Sequence, residues 1–191
     1  ARTVIRSAAR LTYKQAFAHL QEPPHDELTE RLHVAWELSS FLRQRRFAHG
    51  SLDLDFPEVK VWLDDKGVPV RLEKIENDIS HQLIEELMLL ANELVGREFK
   101  VRRQPALHRV HEKPDAEKLL EFREVAGANG LKCGDLSNRS EVQRLLAAAK
   151  GKPQEYVIKL ALLKSLKRAR YAPEPLGHYG LNKVDYTHFT S

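Results

Sequence analysis

Acidic residues that could do chemistry lie in three short groups of the 191-residue protein. Asp53 and Asp55 fall in the alternating stretch SLDLDF, and Asp64-Asp65 precede a glycine in DDKG. Two-metal phosphoryl transfer needs a tighter aspartate cluster than either pair provides. Alternation predicts a strand with Asp53 and Asp55 on a solvated face, and Asp64-Asp65 are predicted turn residues. We therefore predict no catalytic residue and no metal ligand among these four aspartates.

The nine histidines contain two pairs that could bind a metal, His108 with His111 and His178 with His188. Neither pair has a third and fourth ligand at a spacing typical of zinc sites. We interpret them as surface or packing histidines. The sequence also lacks a phosphate-binding glycine loop, a Gly-x-Ser-x-Gly elbow and a His-Glu-x-x-His motif.

The third acidic group, Glu85-Glu86, lies in SHQLIEELMLLAN, where apolar residues recur at helical spacing. Adjacent residues on a helix point about 100° apart. With Leu83, Leu87 and Leu90 buried, one carboxylate faces solvent and the other borders the apolar side. Such a carboxylate is either a paired structural acid or a ligand contact in a cleft. Periodicity alone leaves both interpretations open.

The spacing of apolar residues and the capping signals predict the helices and strands that position these residues. Thr12 is the predicted N-cap of the first helix, and Asn77 or Asp78 that of the helix holding Glu85-Glu86. A last long helix begins at Pro153 and is closed by Pro173. The predicted helices cover residues 11–22, 25–50, 78–99, 114–130, 138–149 and 153–173; the predicted strands cover 51–56, the two halves of 58–75, and a short stretch within 106–112. The fold class is α+β, with mixed helices and a small antiparallel sheet.

Composition limits the classes of protein further. The net charge of +4 and sequence pI near 9.2 permit a polyanionic partner without requiring one. No apolar run approaches the roughly 20 residues that span a bilayer, so we predict no membrane association. The single cysteine, Cys133, excludes an internal disulfide and fits a reducing cytoplasm.

Five stretches carry a resemblance to a known family. In order along the sequence they are ARLTYKQAF, HGSLDLDFPEVKVWLDDKG, ISHQLIEELMLLANELVG, LHRVHEKPD and HYGLNKVDYTHFTS. Their order and spacing resemble the catalytic RNB domain of the ribonuclease R / ribonuclease II exoribonucleases, with the bacterial ribonuclease R group the nearer. The likeness runs from about Ile5 to Ser191. It implies that residues 1–191 are an interior part of that domain, lacking the family's upstream aspartate cluster and the Pro-Ile-Arg segment that follows His-Phe-Thr-Ser.

The resemblance implies a processive, hydrolytic 3′→5′ exoribonuclease that degrades single-stranded RNA to nucleoside 5′-monophosphates. Its Mg²⁺ ions would be bound by residues outside this segment, so the segment alone is predicted to be inactive. The full-length protein is expected to be a cytoplasmic monomer. The alternative is a non-catalytic RNA-binding or scaffold protein derived from the same domain.

The resemblance also assigns roles to residues of this segment. Tyr13 and Glu85 match family positions that contact ribose near the 3′ end, and a carboxylate that accepts from a 2′-hydroxyl would distinguish RNA from DNA. Leu54 matches a position where family members carry a base-stacking aromatic. Either Phe56 replaces it, two residues along the same predicted strand face, or the contact is weaker.

A basic stretch, LKSLKRARY, ends the last predicted helix with Lys164, Lys167, Arg168 and Arg170. A solvated helix face whose charges complement the helix dipole is the simpler interpretation. Contact with RNA phosphates is the alternative.

Overall fold

The computed structural model describes residues 3–56, 58–75 and 77–190. These residues form two antiparallel sheets of two strands each, β1 with β2 and β3 with β4, together with six helices. The α+β prediction is therefore confirmed. Ala1 and Ser191, which bound the predicted domain, lie outside the described residues. In sequence order the elements are α1 (Tyr13–Gln21), α2 (Glu27–Ala48), β1 (Glu58–Leu63), β2 (Pro69–Ile75), α3 (Ile79–Val101), β3 (His108–Val110), α4 (Ala116–Ala128), α5 (Arg139–Ala149), α6 (Glu155–Ser165) and β4 (Arg170–Ala172).

The protein divides into two compact units. Residues 1–42 and 57–87 form the first unit, which contains α1, β1, β2 and the first parts of α2 and α3. Residues 43–56 and 88–191 form the second unit, which contains the remaining helices and the β3–β4 sheet.

Local capping fixes the helix starts in the first unit. Thr12 is the N-cap of α1, as predicted, and the structure adds a capping box between its side chain and that of Gln15. At the start of α3, Asp78 Oδ1 accepts from the backbone N–H groups of Ser80 (2.9 Å) and His81 (3.3 Å). Asp78 thus satisfies helix N–H groups that have no partner within the helix.

The β1–β2 hairpin closes through the predicted turn. Asp64 Oδ1 accepts from the N–H groups of Lys66 and Val68, and Gly67 adopts a φ of 79°. A positive φ favours glycine because it has no Cβ. Asp64 is therefore a turn residue, as predicted.

The core of the second unit is built by α4, α5 and α6. Phe122 from α4, Leu145 from α5, and Ile158 and Leu162 from α6 are fully buried in one apolar cluster. Burying such side chains contributes roughly 1.5–3 kcal/mol each. This cluster holds together the three helices that follow α3 in the sequence.

The predicted strand at 51–56 is wrong: these residues, all of them described, lie in neither a strand nor a helix. Their backbone is held instead by individual contacts. The Leu52 N–H donates to the Gly180 carbonyl (3.0 Å), and Ser51 Oγ donates to the Leu181 carbonyl (2.7 Å). Leu52 is buried in the core, so the apolar alternation reflects side-chain burial without a sheet.

The last helix is shorter than predicted. It ends at Ser165, and Arg170–Ala172 forms β4, which pairs antiparallel with β3. The long-range pairing with His108–Val110 overrides the helical period of the sequence. The helix α4 also begins later than predicted, at Ala116, with the N-cap at Asp115 and not with Pro114 as its first residue.

Candidate functional site

In the first unit, the Tyr13 ring stacks on the imidazole of His81. The ring centroids are 3.9 Å apart and the planes differ by 16°. Tyr13 is the first residue of α1 and His81 lies in the first turn of α3. Because 48% of Tyr13 remains exposed, the stack leaves part of this side chain accessible to a ligand.

Asp78 orients the histidine of this stack. His81 Nδ1 lies 3.0 Å from Asp78 Oδ1. Burial raises the pKa of Asp78, but hydrogen bonds from Ser80 and His81 together outweigh it and leave the pKa below its ordinary value. The ionised carboxylate therefore fixes the imidazole ring against which Tyr13 packs. His81 was not predicted as a site residue, and its position one turn before Glu85 is the only signal that the sequence offers for it.

Glu85 and Glu86 differ in burial, but neither residue is exposed, so the prediction that one carboxylate faces solvent is wrong. Glu86 is buried, with 3% of its surface exposed, and Glu85 is half-buried. Of the leucines predicted to be buried, Leu83 is buried, whereas Leu87 and Leu90 are half-buried.

Glu85 follows His81 by four residues, so the two side chains share one face of α3. The structure thus places the Tyr13–His81 stack and Glu85 on the same side of this helix. We call Tyr13, His81 and Glu85 the ring–carboxylate face.

Leu54 and Phe56 lie in the second unit and have different surroundings. Leu54 is half-buried and packs against the apolar core, whereas Phe56 makes an edge contact with Tyr156 (5.9 Å between centroids, 89° between planes). The predicted common strand face does not exist, because residues 51–56 form no strand. Asp53 pairs with Lys150 (3.2 Å), and the Asp55 carbonyl accepts from Lys159 Nζ (3.1 Å).

His111, which is buried, and His178, which is half-buried, form an aromatic pair in the second unit. The His111 and His178 rings are 5.0 Å apart. The Gly180 N–H donates to His111 Nδ1 (3.1 Å), and the Leu181 N–H donates to His178 Nδ1 (3.3 Å). Each of these bonds requires an unprotonated Nδ1, so both imidazoles are neutral in this arrangement.

Burial is the largest cause that lowers the pKa of His178, to about 4, and the positive charge of nearby Arg109 lowers it further. The pKa of His111 is also lowered, first by burial and then by Arg139 and Arg109. These are packing histidines, as predicted.

The basic stretch does not form the helix end that was predicted. Lys167 pairs with Asp115 (2.8 Å) and Arg170 with Glu112 (3.1 Å), both beyond the end of α6. The dipole interpretation is therefore wrong for Lys167, Arg168 and Arg170 and remains only for Lys164, which lies in the last turn of α6.

Within residues 3–56, 58–75 and 77–190, no group of three or more His, Cys, Asp or Glu side chains is placed to hold a metal ion. In the same ranges no helix is both long and apolar enough to cross a bilayer. Burial is the first cause that raises the pKa of the Cys133 thiol, so this cysteine is poorly suited to act as a nucleophile.

Together these features define a mixed α+β protein with an accessible ring–carboxylate face and a modest positive charge. The chain belongs to the RNB family: the family model described as "RNB domain" matches residues 1–191. The identification by five ordered motifs is thereby confirmed.

Relatives of known sequence agree with this assignment. The chain is 35% identical over 196 residues to "Ribonuclease R" of Aquifex aeolicus, covering 99% of this chain and 28% of that protein. It is 32% identical over 195 residues to "Ribonuclease R" of Escherichia coli, covering 98% of this chain and 24% of that protein. The chain thus spans about a quarter of the length of these relatives.

Solved structures share the fold. A structure of Mycoplasma genitalium RNase R in complex with ribose methylated single-stranded RNA matches with a TM-score of 0.86 at 28% identity, covering 94% of this chain and 29% of that chain. Yeast Ssd1, described as a pseudonuclease, matches with a TM-score of 0.68 at 23% identity, covering 94% of this chain and 23% of that chain. The second likeness shows the fold alone.

Proposed function

We propose that this chain is part of a processive, hydrolytic 3′→5′ exoribonuclease that degrades single-stranded RNA to nucleoside 5′-monophosphates. The observation that carries the proposal is the ring–carboxylate face, found in a chain whose 30–35% identical relatives are named ribonuclease R. The complex of a solved relative with single-stranded RNA supports the choice of substrate.

In this proposal Tyr13 and Glu85 contact ribose near the 3′ end. A carboxylate accepts a hydrogen bond from a 2′-hydroxyl, which DNA lacks. Tyr13 supplies an accessible ring held by His81, so its position is fixed before RNA binds. Both residues lie in the first unit.

Leu54 and Phe56 of the second unit are the proposed base contacts. Leu54 packs on the apolar core, while Phe56 carries an aromatic face that can stack on a base. Base–aromatic stacking contributes roughly 1–3 kcal/mol per base. Phe56 is therefore the better candidate for the stacking contact.

We further propose that residues outside this segment hold the Mg²⁺ ions, as the resemblance to the family implies. It follows that the 191 residues alone contact RNA without hydrolysing it, and that they are an interior part of the catalytic domain. We propose a monomeric, cytoplasmic full-length protein.

The test uses the full-length protein and one RNA in two forms. A 5′-labelled linear strand should shorten progressively from its 3′ end in Mg²⁺ and release 5′-monophosphates, whereas EDTA should stop the reaction. The same strand as a closed circle, which has no 3′ end, should survive. Cleavage of the circle would show an endonuclease and contradict the proposal.

A second candidate is a non-catalytic RNA-binding or scaffold protein. The fold is compatible with this candidate, because a protein described as a pseudonuclease shares it. RNA binding by the full-length protein with no shortening of the linear strand in Mg²⁺ would select this candidate.

A further inference from the structure

Asn92 of α3 is a buried polar residue in the second unit, with 2% of its surface exposed. Its side-chain amide reaches the segment formed by residues 186–190. Asn92 Nδ2 donates to the Tyr186 hydroxyl (3.1 Å). Asn92 Oδ1 accepts from the N–H groups of Phe189 (3.0 Å) and Thr190 (3.0 Å) and from Thr190 Oγ1 (3.1 Å). One amide thus holds both ends of this segment.

The same helix holds the backbone of this segment at close range. The Thr187 N–H donates to the Asn92 carbonyl (3.4 Å). A Cβ added to Gly96, one turn further along α3, would lie 3.1 Å from the Tyr186 nitrogen and 3.2 Å from the Thr187 nitrogen. Only a glycine leaves this space without a shift of the segment. The segment therefore lies directly against α3.

Ionic contacts with α3 fix the residues that immediately precede the segment 186–190. Lys100 Nζ lies 2.8 Å from Asp185 Oδ1, and Lys183 pairs with Glu93, so α3 also anchors the approach to the segment. The side chain of Phe189, in contrast, is 64% exposed. Asn92 therefore fixes the backbone and leaves a side chain presented at the surface.

We propose that Asn92 is a positioning residue: its amide sets the path of residues 186–190, and through that path it sets the rate of RNA hydrolysis. The activity part rests on the proposed function, in which this segment lies in one of the five family motifs. Asparagine suits the role because its amide combines an acceptor for backbone N–H groups with a donor for the tyrosine hydroxyl. An apolar residue of similar size would leave buried N–H groups without their acceptor.

The experiment compares three variants of the full-length protein. Asn92→Leu removes the acceptor and the donor, and Asn92→Asp keeps an oxygen acceptor, toward which the Tyr186 hydroxyl can donate. Asn129→Leu is the matched control, since it deletes an amide of the same unit that donates to the nearby Val125 carbonyl (2.8 Å). Two quantities are measured: amide hydrogen exchange in peptides covering residues 186–190, and kcat and KM on single-stranded RNA.

Asn92→Leu should accelerate exchange of the Phe189 and Thr190 amides at least about tenfold, and Asn129→Leu should not. Displacement of a positioned group by about 1 Å can cost 10²-fold in rate, so kcat of Asn92→Leu should fall by roughly ten- to 100-fold. Its KM should stay within about threefold, and Asn92→Asp should recover most of kcat.

Unchanged exchange of these two amides in Asn92→Leu would overturn the inference whatever the activity. Equal losses of kcat in Asn92→Leu and Asn129→Leu would overturn it as well. If Asn92→Leu does not fold, Asn92→Ala, which also removes the acceptor, replaces it, and wild-type exchange of the Phe189 and Thr190 amides in Asn92→Ala would refute the role. A wild-type protein that does not hydrolyse RNA refutes the proposed function, while the exchange measurement still tests the position of the segment.

Discussion

The Tyr13 ring lies 3.9 Å from the His81 ring, centroid to centroid, and the two planes are nearly parallel. The stack joins the first turn of α1 to the first turn of α3 within the first unit. Because Asp78 holds His81 from the other side, Tyr13 is positioned by two successive contacts. His81 should therefore affect RNA binding although no family motif assigns it a role.

Replacing His81 by alanine should weaken RNA binding by about two- to tenfold. An aromatic pair contributes roughly 0.5–1.5 kcal/mol beyond its buried area, and its loss frees the Tyr13 ring. His81→Phe, which keeps a ring beneath Tyr13, should bind within about twofold of wild type. The measurement is the Kd for single-stranded RNA in EDTA, where hydrolysis is expected to stop. Equal Kd values for His81→Ala and wild type would contradict the role of the stack.

Substitutions at Phe56 and Leu54 should have different effects, the first on RNA affinity and the second on stability. Phe56→Ala should raise the Kd for RNA by about five- to 100-fold, because a stacking ring is lost. Leu54→Ala should instead lower the free energy of unfolding by about 1–3 kcal/mol, since Leu54 packs on the core. Denaturant unfolding and RNA titration of both variants check this. The reverse pattern would make Leu54 the base contact.

Local signals predicted part of this molecule. The Thr12 N-cap and the Asp64 turn depend on neighbours within four residues, so the sequence contains all of their partners. The difference in burial between Glu85 and Glu86 follows from helix geometry, although neither residue is exposed as predicted. These features were predictable because no distant residue decides them.

Features that depend on distant residues were missed. The sequence period continues the last helix past Ser165, but pairing with β3 makes Arg170–Ala172 a strand. Likewise, nothing near His81 in the sequence indicates Tyr13 as its stacking partner. The alternation at 51–56 predicted a strand, yet core burial of Leu52 explains it.

Stability should depend on pH through His178. Its pKa is about 4 in the folded protein against an ordinary value of 6.5, so above pH 6.5 the ring is neutral in both states. As the pH falls from 6.5 to 4, the unfolded state binds a proton that the folded state does not, and the free energy of unfolding decreases. Below about pH 4 the decrease in the free energy of unfolding is complete, and it amounts to at most about 3 kcal/mol.

His178→Gln provides the control, because glutamine keeps an acceptor but does not titrate. The difference in unfolding free energy between wild type and His178→Gln should shrink or reverse between about pH 7 and about pH 4.5, as measured by denaturant titration at each pH. A difference that stays constant across this range would show that His178 does not titrate with a lowered pKa.

Glu85 of the ring–carboxylate face is proposed to recognise ribose by accepting a hydrogen bond from its 2′-hydroxyl. Glu85→Gln should discriminate less between ribose and deoxyribose, because a hydrogen bond to a charged group is worth roughly 1.5–3 kcal/mol. Glu98→Gln is the matched control: it changes the same charge on α3 at an exposed residue paired with Arg102.

The most direct test is kcat/KM of the full-length protein on RNA strands in which a single 2′-hydroxyl near the 3′ end is replaced by hydrogen, one position at a time. For wild type and Glu98→Gln, replacing the 2′-hydroxyl at one of these positions should lower kcat/KM roughly tenfold or more. For Glu85→Gln, whose kcat/KM on the unmodified RNA is already lower, the same replacement should cause little further decrease. Equal discrimination by Glu85→Gln and wild type at every position would contradict the claim.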